Sequence, residues 1–300
     1  MSTLSAPMPE ARRGHLAMLL FSALVAGSFS LGGQVANEIA PTALNAVRFA
    51  LSAAVVGAVI GLRGGWTATA AALAAPWRYG ILGGFFALYF VTMFEGLKTA
   101  PPVSAAAVFT LTPVMSGVFG YVLLRQMMGA RIWLALGLGA AGALWVIFRA
   151  DLTALMAFEI GRGEAIFFWG CMAHAAYTPM VRVLNRGEPI LSFTFWTLTA
   201  TALIIGVLGW RDIAATDWGT LRPLVWVTLA YTGVAASSMT VFLVQFASMR
   251  LPSSKVMAYT YLTPSWVLMW ELALGQPVPP LLVLAGVGLT IAALALLLKD

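Results

Sequence analysis

The phrase Leu111-Thr112-Pro113 recurs as Leu262-Thr263-Pro264, 151 positions further along a chain of 300 residues. At the same offset Pro101 falls on Pro252, Ala107 on Ala258, Leu123 on Leu274 and Gly137 on Gly288. One displacement shared by so many pairs reads as a degenerate duplication, with copies over 1–150 and 151–300. If each copy crosses a bilayer an odd number of times, the two must point in opposite directions, a build common in secondary transporters.

The crossing itself follows from composition. Of the residues 61% are hydrophobic and 9% charged, and the mean hydropathy is +0.90. A soluble domain needs more charge to cover its surface. The apolar residues also come in blocks of about 20, the length that spans roughly 30 Å of hydrocarbon as helix. Ten blocks can be read, over 16–36, 41–62, 79–98, 101–124, 131–149, 163–184, 190–210, 222–248, 252–274 and 279–298. The expected fold is therefore an all-α membrane protein of ten transmembrane helices, arranged as two inverted five-helix repeats. Short connections carry turn formers, at Gly64-Gly65, Pro101-Pro102, Arg186-Gly187-Glu188-Pro189 and Pro279-Pro280. The stretch 150–162 reads as the linker between copies. Arg12 and Arg13 before the first block resemble a signal sequence, but a block of some 21 residues is read as a retained span.

Charge orients the bundle. Ten spans put Arg12, Arg13, Arg63, Arg78, Arg125, Arg131, Arg182, Arg186, Arg250, Lys255 and Lys299 on the side of the termini. Lys98, Arg149, Arg162, Arg211 and Arg222 fall on the other side. Eleven against five places both termini in the cytoplasm by the positive-inside rule. The net charge of +6 is scattered singly between apolar blocks, which argues for membrane orientation and against a nucleic-acid partner. Cys171 is alone, and His174 is the only histidine besides His15, so neither a disulfide framework nor a multi-histidine metal centre is expected. The chain contains neither G-x-x-x-x-G-K-[ST] nor H-E-x-x-H. No cofactor, no metal and no enzymatic reaction are expected.

Pro113 and Pro264 fall near the middle of spans four and nine. Each removes a backbone donor and clashes with the carbonyl four residues earlier, at Phe109 and Thr260. Symmetry-related breaks of this kind point to a site at mid-membrane and to a hinge pair; a static kink absorbed by packing is the competing reading.

Intramembrane polar and aromatic residues gather on helix faces. Tyr231, Ser238 and Gln245 recur every seven residues in span eight, and Gly27, Ser30 and Gln34 share a face of span one. Span six offers Cys171, His174 and Thr178, flanked by Trp169 and Tyr177; span three offers Tyr89 and Met93 beside Phe90 and Phe94; span nine carries Tyr259, Thr263 and Trp266. Gln34, Tyr89, Phe90, Trp169, His174, Tyr177, Tyr231, Ser238, Gln245 and Tyr259 are the candidate substrate-binding residues. Such a lining suits a ligand with an apolar body and a small polar head. The alternative is that small and hydroxyl residues join helices while Trp and Tyr form interfacial belts.

Ionisable groups inside spans are few. Arg48 lies about a third of the way into span two, with Asn45 and Ser52 on its face; it could hold a substrate carboxylate or brace helices. Glu95 and Lys98 are spaced as a local ion pair at the end of span three. Glu271 lies near the end of span nine. Arg48, Glu95 and Glu271 are the candidates for coupling transport to an ion.

The stretch Glu95-Gly96-Leu97-Lys98-Thr99-Ala100, followed by Ser104-Ala105-Ala106-Ala107 and Leu111-Thr112-Pro113, resembles the EamA repeat of the drug/metabolite transporter superfamily. Phe246-Ala247-Ser248 through Leu262-Thr263-Pro264 to Gly275-Gln276-Pro277 is similar to a second copy, and Pro41 with Ala46-Val47-Arg48-Phe49 resembles the family's second-span opening. Gln276, and Arg125-Gln126 in the first copy, depart from the Glu that the family often carries there. The resemblance implies inverted five-helix repeats and metabolite export from a bacterial-type inner membrane. The aromatic faces further resemble the YddG-type aromatic amino acid exporters. The expected function is alternating-access export of aromatic or other neutral amino acids, with the lipid bilayer and the amino acid as partners; the sequence leaves the oligomeric state open, a monomer included. A sugar-phosphate or nucleotide-sugar transporter, which would want more buried cations, an intramembrane enzyme and a non-transporting membrane scaffold are the alternatives.

Overall fold

The computed structural model describes residues 9–157, 160–277 and 280–298. Pro279 and Lys299, invoked above for a turn and for orientation, lie outside the described residues. Among the described residues the regular structure is helical throughout.

Among the described residues ten long rods are compatible with the ten expected spans, beside the short helices Trp66–Ala71, Leu152–Ala157 and Trp210–Ala215. The first repeat contains α1 (Glu10–Val35), α2 (Pro41–Leu62), α3 (Trp77–Gly96), the two pieces α4a (Pro102–Phe109) and α4b (Thr112–Leu124), and α5 (Ala130–Ile147). The second contains α6 (Arg162–Leu184), α7 (Ile190–Leu208), α8 (Pro223–Ser248), α9 (Ser253–Ala273) and α10 (Leu281–Leu298). Eight of these are long and apolar enough to cross a membrane by length and composition. The remaining two are α6, which carries Arg162, Glu164, His174 and Arg182, and α9, which is interrupted by a 3-10 turn at Tyr259–Leu262.

Local chemistry sets the boundaries. Pro41, Pro102 and Pro223 open their helices at the first turn, where a missing N–H loses nothing. α1 starts six residues before the expected position, where Glu10 holds Arg13 at 3.0 Å and Arg250, just past the end of α8, at 2.5 Å. At the ends of α4b and α9 the chain turns through left-handed residues, Arg125 at φ 55° and Gly275 at φ 78°. Both close by a backbone bond that wraps back onto the last turns, Gln126 N–H to Gly120 O at 3.2 Å and, one residue tighter, Gln276 N–H to Glu271 O at 2.9 Å.

The duplicated segments run antiparallel. The start of α9 lies along the end of α4b, where Ser116 Oγ donates to Ser253 O at 3.4 Å. Midway the hydroxyls of Thr112 and Thr260 meet at 3.2 Å. At the other end Ser104 and Glu271 line one vestibule. α5 and α10 also pair: Trp145 Nε1 donates to Leu282 O at 2.7 Å, and a methyl added to Gly142 would sit 2.7 Å from Gly286 O. The two glycines let backbones touch, as small residues do in membrane helix pairs. Repeat symmetry extends to α1 and α6, since Gly14 abuts Leu251 while Gly163 abuts Ala100.

The interrupted helices recover their lost hydrogen bonds locally. Pro113 frees the carbonyl of Phe109, and Thr112 Oγ1 donates to it at 2.6 Å. In α8, Tyr231–Ser237 form a π-helical segment, and the loosened Gly233 carbonyl accepts from Ser238 Oγ at 2.7 Å and Ser52 Oγ at 2.8 Å.

Candidate functional site

The two halves meet at a cage of rings around His174. The imidazole stacks on Tyr89 at 4.4 Å between centroids, with Phe109 at 5.4 Å, Phe86 at 5.7 Å, Tyr177 at 6.1 Å and Phe21 at 6.4 Å. These rings come from α1, α3, α4a and α6, so both repeats contribute. Phe86, Tyr89, Phe90 and Met93 fall on one helical face of α3, which explains their convergence. Between Phe21, Val25, Phe86, Tyr89, Phe90, His174, Thr240 and Val244 remains a void of about 10 Å³. The centre is closed in this conformation.

Polar groups in the cage lack protein partners. Tyr89 OH and both ring nitrogens of His174 are buried with no hydrogen-bond partner within the protein. Buried polar groups nearly always have a partner, so three such atoms within one ring cage are an unusual concentration. Among the described residues no group of three or more His, Cys, Asp or Glu could hold a metal ion.

The other candidates occupy several environments. Tyr177 lies in the cage, Phe86 against it at 4.0 Å, and its hydroxyl accepts from Gln245 Nε2 at 2.9 Å. Gln245 is fully engaged, since Nε2 also donates to Thr197 Oγ1 at 3.2 Å and Oε1 accepts from Thr194 Oγ1 at 2.5 Å. It ties α6, α7 and α8 together beside the cage. Tyr231 donates to Leu24 O at 2.9 Å and packs over Gly27. Ser238 lines a separate groove of about 500 Å³ between α1, α2, α7 and α8. The seven-residue stripe of α8 therefore does not converge, because the π-helical turn shifts the register between Tyr231 and Ser238. Tyr259 OH lies 3.2 Å from His15 Nδ1, a contact between α9 and α1.

Gln34 and Trp169 are not brought to the cage. Gln34 is half-buried in the last turn of α1, where its carbonyl accepts from Arg222 at 3.1 Å. Trp169 is 60% exposed and lines an outward groove of about 300 Å³ with Val108, Leu144 and Glu164. Glu95 pairs with Lys98 at 2.6 Å at the end of α3. Glu271 lines a vestibule of about 380 Å³ with Pro101, Pro102, Gln276 and Pro277. Pro113 and Pro264 each sit in the first turn of the second half of their broken helices.

Phe21, Phe86, Phe109 and Glu164 escaped the sequence reading. Glu164 is buried in the first turn of α6 and accepts from Ser104 Oγ at 2.7 Å. Its signal was an acid at a helix N-terminus. The phenylalanines give none, because a lipid-facing ring and a centre-facing ring look alike in an apolar block.

The comparisons with known proteins identify the architecture. The EamA-like transporter family matches twice, over residues 12–148 and 161–299. The chain belongs to the EamA-like transporter family. This family lies in the superfamily indicated by the sequence motifs, and it makes the chain a multi-pass membrane transporter. The chain is 24% identical over 278 residues to the uncharacterized transporter YyaM of Bacillus subtilis (strain 168), covering 91% of this chain and 90% of that protein. A solved crystal structure aligns with a TM-score of 0.71 over 96% of both chains at 20% identity, a likeness of fold.

Proposed function

We propose that this EamA-like transporter exports small amphiphilic metabolites, aromatic and other neutral amino acids first among them, by alternating access through the centre. The observation that carries this reading is His174, buried between the repeats, stacked on Tyr89 and left without a protein hydrogen-bond partner. Aromatic walls would take the apolar body of the substrate, while Tyr89 OH and His174 would bond its polar end. Gln245 and Tyr177 would fix the shape of the pocket from one side. The 10 Å³ void is then the collapsed form of a pocket that opens as the repeats rock, with Pro113 and Pro264 bending α4 and α9. The membrane is a bacterial-type inner membrane, with both termini in the cytoplasm.

Reconstituted protein tests this. Vesicles loaded with radiolabelled tryptophan, phenylalanine and threonine should lose label faster than protein-free vesicles, and His174→Phe should abolish the difference for all three. Unchanged efflux in His174→Phe would move the pathway away from the cage.

A further inference from the structure

Arg48 is the one buried cation beside the ring cage, and its charge has no counterpart. The side chain is 1% exposed. Its Nε donates to Ser237 Oγ at 2.6 Å and its Nη2 to Ser28 Oγ at 3.4 Å. Nη1 has no partner. The guanidinium lies 4.2 Å over the ring of Phe90, with Phe49 and Phe94 each at 5.7 Å. Among the described residues no carboxylate lies within ion-pair distance. Two neutral hydroxyls and three rings hold a full positive charge.

That arrangement is costly, since a buried ion without an opposite charge forfeits hydration that neutral hydroxyls and ring faces only partly replace. Bracing α2 against α1 and α8 would need only a neutral amide. Position supplies the reason for a charge. Phe90 is shared between Arg48 and the central void. Ser28 lies one helical turn beyond Val25, and Ser237 one turn before Thr240, both of which line that void. The guanidinium thus lies directly behind Phe90, one residue layer from the void, with Nη1 unused.

We propose that Arg48 binds the carboxylate of the transported molecule, which rests on the transport reading above and specifies its substrate class as monocarboxylates with an apolar or aromatic body. A single cation matches a single negative charge, and a planar carboxylate takes two donors of the fork side by side. A doubly charged phosphate would keep one charge unmatched. The ammonium of an amino acid would lie on ring faces or on a His174 nitrogen, and the site accepts equally a carboxylic acid that has no amine.

The test uses phenylalanine, 3-phenylpropionate, phenethylamine and phenyl phosphate with the full-length protein, read by thermal stability in detergent and by competition for efflux from vesicles. Phenylalanine and 3-phenylpropionate should raise the melting temperature and compete; phenethylamine should do neither. Arg48→Gln should weaken both carboxylates about ten- to a hundredfold, the worth of a lost charge-assisted contact, with Arg48→Lys intermediate. Equal action of phenethylamine, stronger action of phenyl phosphate, or full carboxylate response in Arg48→Gln would each overturn the assignment. If Arg48→Gln does not fold, the four probes on the unaltered protein decide alone. Efflux of label with no preference for carboxylates removes the role of Arg48 and leaves transport standing; absence of any efflux removes both.

Discussion

Gln126 Oε1 accepts the backbone N–H of Ser253 at 3.0 Å, so the residue ending one repeat's broken helix caps the start of the other's. The contact gives this loop position a structural task. Gln126→Ala should lower stability by about 1 kcal/mol, the usual value of a helix cap. Gln126→Glu should be neutral or stabilising, since a carboxylate suits a helix N-terminus and removes the unpartnered Nε2 donor. Thermal unfolding of the two variants checks the pair of outcomes; equal loss in both would contradict the capping role.

Arg78 is 2% exposed in side-chain terms and binds Glu188 at 2.5 Å and Leu184 O at 2.7 Å. Burial alone would push the Glu188 carboxyl up, but the hydrogen bonds from Arg78 and from the Arg186 N–H outweigh it and hold the group below the ordinary carboxylate value. A lowered folded-state value means the pair's contribution is complete above the ordinary value and fades as pH falls through the folded one. Glu188→Gln should therefore destabilise by about 1–3 kcal/mol at neutral pH, and the gap from the unaltered protein should close below about pH 4. A gap independent of pH would show that the charge is not what matters.

Gly142 and Gly286 sit face to face in α5 and α10, each with its Cβ position under 3 Å from the other's carbonyl oxygen, at 2.7 and 2.8 Å. Backbone cannot yield as a side chain can. Alanine at either position should cost about 1–3 kcal/mol through overpacking, whereas Gly137→Ala, with open space around it, should change little. Melting temperatures in one detergent separate the three variants.

Pro113 and Pro264 lie in the first turn of their half-helices, where proline costs little. If they are hinges, alanine at both should raise stability by about 1 kcal/mol or less and slow maximal efflux severalfold, since each helix can then close its gap. Efflux at the unaltered rate in the double variant would make the breaks static kinks.

Much of the architecture was readable from the chain. Apolar blocks, the 151-residue offset and an odd number of spans per copy dictate inversion, and the crossing of α4 and α9 carries it out. The candidate site was readable mainly where a residue was out of place in lipid: His174, Tyr89 and Arg48 signalled themselves by polarity, and Phe90 was found only as the neighbour of Tyr89. Phe21, Phe86 and Phe109 could not, because the side of a helix that faces lipid is as apolar as the side that faces the centre. The α8 stripe misled for another reason. A seven-residue period assumes α-helical turns, and Tyr231–Ser237 winds more loosely, so Ser238 faces the groove near Leu24 and Val56 while Gln245 faces Tyr177. Trp169 misled because five residues separate it from His174, which puts the two on different faces of α6.

The central claim is passage of an amphiphilic metabolite through the cage around His174. Its most direct measurement is time-resolved efflux of radiolabelled phenylalanine from vesicles bearing the unaltered protein, the His174→Phe variant or no protein. The account predicts rapid loss of label with the unaltered protein and loss at the protein-free rate with His174→Phe. Loss at the protein-free rate in all three, or equal rapid loss in both protein samples, would contradict it.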